Sequence, residues 1–151
     1  MSEGYIGLAP AYGFFNKQNI AGTTATTYNL DFDVVSANGL IVSLDGIVQE
    51  PGYAFSVGRS ATGVMQLTFA EALPVTTVSS SLALTAGSNS VTGFTTAQTA
   101  TLVVGKGITG NVNIPADTFI ASISSTSITM TNAASASVSS QSLTFGSRVY
   151  V

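Results

Sequence analysis

The chain has 151 residues, with 4 Lys and Arg against 7 Asp and Glu, and it contains no Cys, His or Trp. Without thiols there is no disulfide, thiolate nucleophile or zinc–sulfur site, and without imidazole there is no Ser-His-Asp triad and no His-ligated metal. Four cations cannot lay down the phosphate-tracking stripe that nucleic-acid binding requires, and no apolar run approaches the roughly 18 residues of a membrane helix.

Apolar residues make up 45% of the chain, enough for a proper core. The opening Met1 to Pro10 has neither a basic stretch nor an apolar one, so no secretory signal is expected there. Charge is unevenly spread. Residues 1–75 hold Lys17, Arg59 and every acid except Asp117, whereas residues 76–151 carry only Lys106, Asp117 and Arg148 among abundant Ser and Thr. Two modules of different material are expected.

In the first module, Thr26 to Val35 reads as a strand with Tyr28, Leu30 and Phe32 on one face. Leu40, Val42 and Leu44 alternate with Ile41 and Ser43, and Asp45-Gly46 then separates them from Ile47-Val48. An Asp-Gly pair between apolar runs signals a two-residue hairpin, because a type I′ turn needs positive φ at both central positions. Pro51-Gly52 marks another turn. Tyr53, Phe55 and Val57 alternate as a further strand, and after the loop from Gly58 to Gly63, Met65, Leu67 and Phe69 supply the inner face of the next.

The second module reads as short strands at Leu82 to Leu84, Leu102 to Val104, Phe119 to Ile123, Ile128 to Met130 and Leu143 to Phe145, separated by glycine- and asparagine-rich turns. Ala133 to Ser140 could form one helical turn, though it has little to bury. The fold class expected is all-β: a small antiparallel β-sandwich with a second β module inserted in its last hairpin. Phe69 to Pro74 looks like a strand entering a turn whose return is missing, and Arg148-Val149-Tyr150-Val151 is a short alternating segment at the far end. If that segment zips alongside Leu67 and Phe69, residues 1–75 plus 148–151 form a base module and residues 76–147 an insertion. Exposed hairpin tips tolerate such insertions because their ends are close together.

Tyr5-Ile6-Gly7-Leu8-Ala9-Pro10, followed by Leu40 to Tyr53 with Leu44-Asp45-Gly46 and Pro51-Gly52-Tyr53, resembles a module of tailed-bacteriophage structural proteins. Leu67-Thr68-Phe69 with Ala72 and Pro74, and the closing Arg148-Val149-Tyr150-Val151, are similar to that module's last two strands. The sequence departs from the pattern at Tyr53, which has no Asp before it. Asn113-Ile114-Pro115-Ala116-Asp117-Thr118-Phe119-Ile120 and Leu143-Thr144-Phe145 resemble a second phage-associated β module. The resemblance implies a non-enzymatic virion structural protein, made in the host cytoplasm and carried on the exterior of the particle. A small capsid decoration or knob subunit is the first expectation. A tail-fibre or tail-adaptor segment engaged in host attachment is the alternative.

Candidate sites are few. Asp31 and Asp33 would share one strand face, but two carboxylates with no polar cluster for a sugar make a poor glycosidase, and a calcium site needs six or more oxygens. No catalytic, cofactor or metal residue is expected. The aromatic N-terminus stands out, with Tyr5, Ile6, Tyr12, Phe14 and Phe15 as the candidate interface, because Tyr and Phe favour protein–protein contacts as much as cores. The partners expected are other virion subunits of the capsid shell or tail, and further copies of the chain in a homo-oligomer. Weak contact of the Ser/Thr-rich module with host-surface glycans is also expected, and neither nucleic acid nor membrane.

Overall fold

The computed structural model describes residues 16–151, apart from the side chains of Ser79 and Ser80. It is nearly all β, in antiparallel sheets, as the alternating pattern implies. The candidate interface residues Tyr5, Ile6, Tyr12, Phe14 and Phe15 lie outside the described residues.

Two sheets form the base. Strands β1 (Asn19–Ala21), β2 (Thr27–Asn29), β3 (Ser43–Leu44), β4 (Ile47–Val48), β5 (Phe55–Arg59) and β6 (Met65–Phe69) come first, and β13 (Arg148–Tyr150) joins them from the other end of the chain. The sheets run β2-β6-β5 and β1-β13-β3-β4. Between them Leu67, Val42, Phe55 and Val149 are fully buried, and Met65, Phe69 and Val151 are buried beside them. Met65, Leu67 and Phe69 point inward while Gln66 and Thr68 are half-exposed, the alternation expected of a strand with one buried face. The Asp-Gly turn forms as expected, with φ of +50° at Asp45 and +89° at Gly46.

One expectation fails in an instructive way. Val149 and Val151 share a core with Leu67 and Phe69, but β13 does not pair with β6. Strand β6 has β2 on one side and β5 on the other, so both of its hydrogen-bonding edges are taken. The terminal strand instead enters the facing sheet between β1 and β3, in the registers Ile20↔Val149 and Val149↔Leu44. The segment at 26–35 is also shorter than its pattern suggests. It leaves the ladder after Asn29, with a last hydrogen bond from the Leu30 N–H to the Met65 carbonyl, and Gln18 Oε1 then captures the Asp31 N–H.

Residues 75–146 build a second core. Strands β7 (Val75–Leu84), β8 (Ser90–Thr92), β9 (Gly107–Thr109), β10 (Ile120–Ile123), β11 (Ser127–Met130) and β12 (Val138–Gly146) form a six-stranded sheet ordered β10-β11-β8-β7-β12-β9. A bridge between Gly107 and Phe119, with the Ile120 N–H donating to the Lys106 carbonyl, ties the outermost strands together. The sheet thus curls into a barrel-like lobe with protected edges. Leu82, Val91, Ile108, Ile128, Met130 and Leu143 fill it, each at most 1% exposed. Val75 pairs with Gly146, so the chain enters and leaves the lobe side by side.

Two local expectations are corrected here. Leu102 to Val104 is not a strand: a short helix α1 (Thr96–Thr99) precedes it, started by a capping box in which Thr95 and Gln98 satisfy each other's backbone N–H groups. Leu102 is buried while the next two valines both face outward, which breaks the alternation a strand requires. Ala133 to Ser140 forms no helix either. Its last residues open β12, where a bulge places Ser140 at φ +56°.

Candidate functional site

The most distinctive surface lies where the base sheet meets the lobe. Two close backbone approaches hold the junction. Gly22 donates its N–H to the Ser147 carbonyl at 2.8 Å, and Gly107 packs so tightly on Ala21 that an added Cβ would stand 2.6 Å from it. Arg148 extends across this seam. Its guanidinium donates twice to Asn19 Oδ1 and lies 5.0 Å from the centre of the Phe119 ring, a cation–π arrangement that ties β13 to the lobe.

Asp45 joins three parts of the chain. Its Oδ1 accepts the Arg148 N–H at 2.8 Å and its Oδ2 receives Lys106 Nζ at 2.6 Å. Partial burial pushes this carboxyl up, but hydrogen bonds from Lys106, the Arg148 backbone and Ser147 outweigh that effect and hold it below its ordinary value. A group whose folded pKa is lowered contributes stability above its unfolded value and loses it as the pH falls through the folded one. Asp45→Asn keeps the left-handed turn and the acceptor for Arg148 but loses the charge. It is expected to cost up to about 1 kcal/mol at neutral pH, since the pair is partly solvated. The difference from wild type shrinks on acidification below about pH 4, and thermal melts across that range measure it. Asp117, across the same seam, behaves oppositely. Burial and the nearby Asp31 carboxylate raise it against a hydrogen bond from the Ala21 N–H.

A cleft of about 660 Å³ opens beside this ion pair. Its floor is Ser43 and Tyr150, one wall is Val103 and Val104 from the lobe, and Asp45, Lys106 and Arg148 close one end. Cross-strand registers place Asn19, Tyr150, Ser43 and Val48 in one row on the face of the sheet opposite the buried Val149. By alternation Ile41 points the same way as Ser43. Val48 is 68% exposed, Ile41 73%, Val103 60% and Val104 55%, so an apolar strip runs from the sheet edge to the lobe. Strip and cleft together form a candidate contact surface.

Other sequence candidates resolve differently. Asp33 pairs with Arg59 at 2.7 Å on the exposed surface, and Asp31 lies past the end of its strand, so the two do not present a shared strand face. Among the described residues no cluster of three or more acids is placed to hold a metal ion. A second groove, of about 580 Å³, runs between the exposed Tyr53 and the segment Glu71 to Pro74. Sequence reasoning misses the junction surface because its parts are far apart in the chain, and two consecutive exposed valines read as half of a strand. Their signal is that residues 102–104 follow a capping box. No family model, curated protein or solved structure matches the chain.

Proposed function

We propose that the chain is a non-enzymatic structural subunit on the exterior of a tailed-bacteriophage particle, a decoration or knob protein of the capsid. The base and the N-terminal residues bind neighbouring subunits, and the Ser/Thr-rich lobe projects from the shell. The observation that carries this reading is the exposed apolar strip of Ile41, Val48, Val103 and Val104 beside Tyr150, a surface suited to burial between subunits. The motif resemblance at Leu44-Asp45-Gly46 and Pro51-Gly52-Tyr53 supports the viral assignment. The absence of His and Cys from the whole sequence removes the commonest nucleophile–base pairs. Association of this kind stabilises the assembled state by mass action.

Gold-labelled antibody against the chain, imaged on purified particles, tests the proposal. Many labels distributed over the head are expected. A few labels confined to the tail would replace decoration with fibre or adaptor, and unlabelled particles would remove the virion assignment altogether.

A further inference from the structure

The chain holds one Asn-Gly pair, Asn38-Gly39, and one Asp-Gly pair, Asp45-Gly46. Either could react with itself, because glycine has no side chain to shield its backbone nitrogen from the preceding carboxamide or carboxyl carbon. The fold treats the two oppositely. Both oxygens of Asp45 are engaged, by the Arg148 N–H and by Lys106 Nζ, and an ion-paired carboxylate is a poor electrophile. Asn38 is exposed, and among the described residues its carboxamide has no hydrogen-bond partner. The carboxamides of Asn19, Asn29, Asn89, Asn111 and Asn132 are each held by one. Asn16 and Asn113 precede Lys17 and Ile114, whose side chains crowd the nitrogen that would attack.

We propose that Asn38 is a site of spontaneous covalent modification, which converts it through a cyclic imide to aspartate and isoaspartate. The Gly39 nitrogen gives its proton to hydroxide and attacks the Asn38 Cγ. The new N–Cγ bond closes the ring, and the bond from Cγ to the carboxamide nitrogen breaks. That nitrogen takes a proton from water, which regenerates the hydroxide, and leaves as ammonia. Water then opens the ring at either carbonyl. Attack at Cγ breaks the new bond and leaves an ordinary aspartate at position 38. Attack at the main-chain carbonyl carbon of Asn38 breaks the original peptide bond, so the chain now runs through Cγ as isoaspartate. Nothing is oxidised or reduced, and water is the only co-reactant consumed.

One hydrogen bond stands in the way. Asn38 lies in the short 3-10 turn Ala37–Gly39, where the Gly39 N–H donates to the Ser36 carbonyl at 3.0 Å and the Leu40 N–H to the Ala37 carbonyl at 3.1 Å. The Gly39 nitrogen can attack only when the first of these opens. The turn buries none of its residues, and Ser36 gives it no side-chain cap. Strand β2 has ended at Asn29 and β3 begins at Ser43, so the turn opens without breaking a sheet ladder. The product differs from the parent in two ways. The new carboxylate adds one negative charge to the formal −3. Isoaspartate also adds one main-chain carbon between Ala37 and Leu40, which both pack on the base core, so the turn loses its geometry while the strands keep theirs. The site is independent of the role proposed above.

Ageing the folded, full-length chain at mildly alkaline pH tests this. Ion exchange follows the charge, and electron-transfer fragmentation of the tryptic peptide from Gln18 to Arg59 locates the change. The expected product is more acidic by one charge, heavier by one mass unit and altered at position 38, with isoaspartate exceeding aspartate. Asn19 and Asn29 lie in the same peptide and should stay intact over the same period. Gly39→Ala is expected to slow the reaction at least tenfold. An added Cβ there meets nothing within 4 Å, so the fold survives, which circular dichroism checks. The chain unfolded in guanidinium chloride gives the structural comparison: with so weak a turn, the folded chain should react at no less than one-tenth of the unfolded rate. An unchanged position 38, a folded chain more than tenfold slower than the unfolded one, Asn19 or Asn29 reacting as fast as Asn38, or an equal rate in Gly39→Ala would each overturn the inference.

Discussion

Gly146→Ala is expected to lower the melting temperature by roughly 6–12 °C. A Cβ built at this position overlaps the carbonyl oxygen of Gly22, with the Gly22 backbone carbon behind it. Both sides of the clash are main chain, so no side-chain rotation relieves it, and the base strand or the lobe must shift. Overpacking typically costs about 1–3 kcal/mol, and rigid neighbours place this case near the top of that range. For a chain of this length each kcal/mol moves the transition by about 2–4 °C. Gly58→Ala is the control. Gly58 sits in β5 with nothing within 4 Å of an added Cβ and no positive φ, so the change should be neutral or raise stability slightly. Equal melts for the two variants would mean that the close approach at the seam is absent.

Leu143→Ala and Leu67→Ala are each expected to cost about 2–5 kcal/mol, the range for emptying a buried aliphatic position. Both side chains are 0% exposed, the first inside the lobe and the second between the base sheets. The spread within that range depends on how far the surroundings collapse into the void. Leu143 is hemmed by a sheet whose edges are tied, which limits collapse and favours the upper half. Ile47→Ala provides the contrast: with Ile47 71% exposed on the edge strand β4, urea titration should place it within about 0.5 kcal/mol of the unaltered chain. Three equal losses would contradict the burial pattern.

Much of the fold is legible in the sequence wherever one face is buried and the period is two. Met65 to Phe69 shows its inner face directly, and Asp45-Gly46 announces its turn because few residues other than Gly, Asn and Asp adopt positive φ. The charge contrast between residues 1–75 and 76–147 coincides with a change of core, with Leu73 on the base side and Val78 on the lobe side. Pairing partners are not legible. Val149 and Val151 reveal by alternation that they face a core, but alternation does not say which ladder receives them. That choice is made by the occupied edges of β6. The candidate site is less legible still. Tyr150, Ser43 and Val103 become neighbours only when the terminal strand enters the four-stranded sheet, and nothing local to any of them marks that event.

The last residues of the chain complete the base, while residues 75–146 fold around a core of their own. Residue-resolved hydrogen exchange on Leu67→Ala and Leu143→Ala tests it most directly, with two amides as reporters. The Val151 N–H donates to Gln18 in the base, and the Met130 N–H donates to Asn89 in the lobe. Leu67→Ala should accelerate exchange at Val151 at least tenfold and leave Met130 near its original rate, and Leu143→Ala should do the opposite. If Val151, which follows the lobe in sequence, instead exchanges in step with Met130 in both variants, the terminal strand belongs to the lobe and the account is wrong.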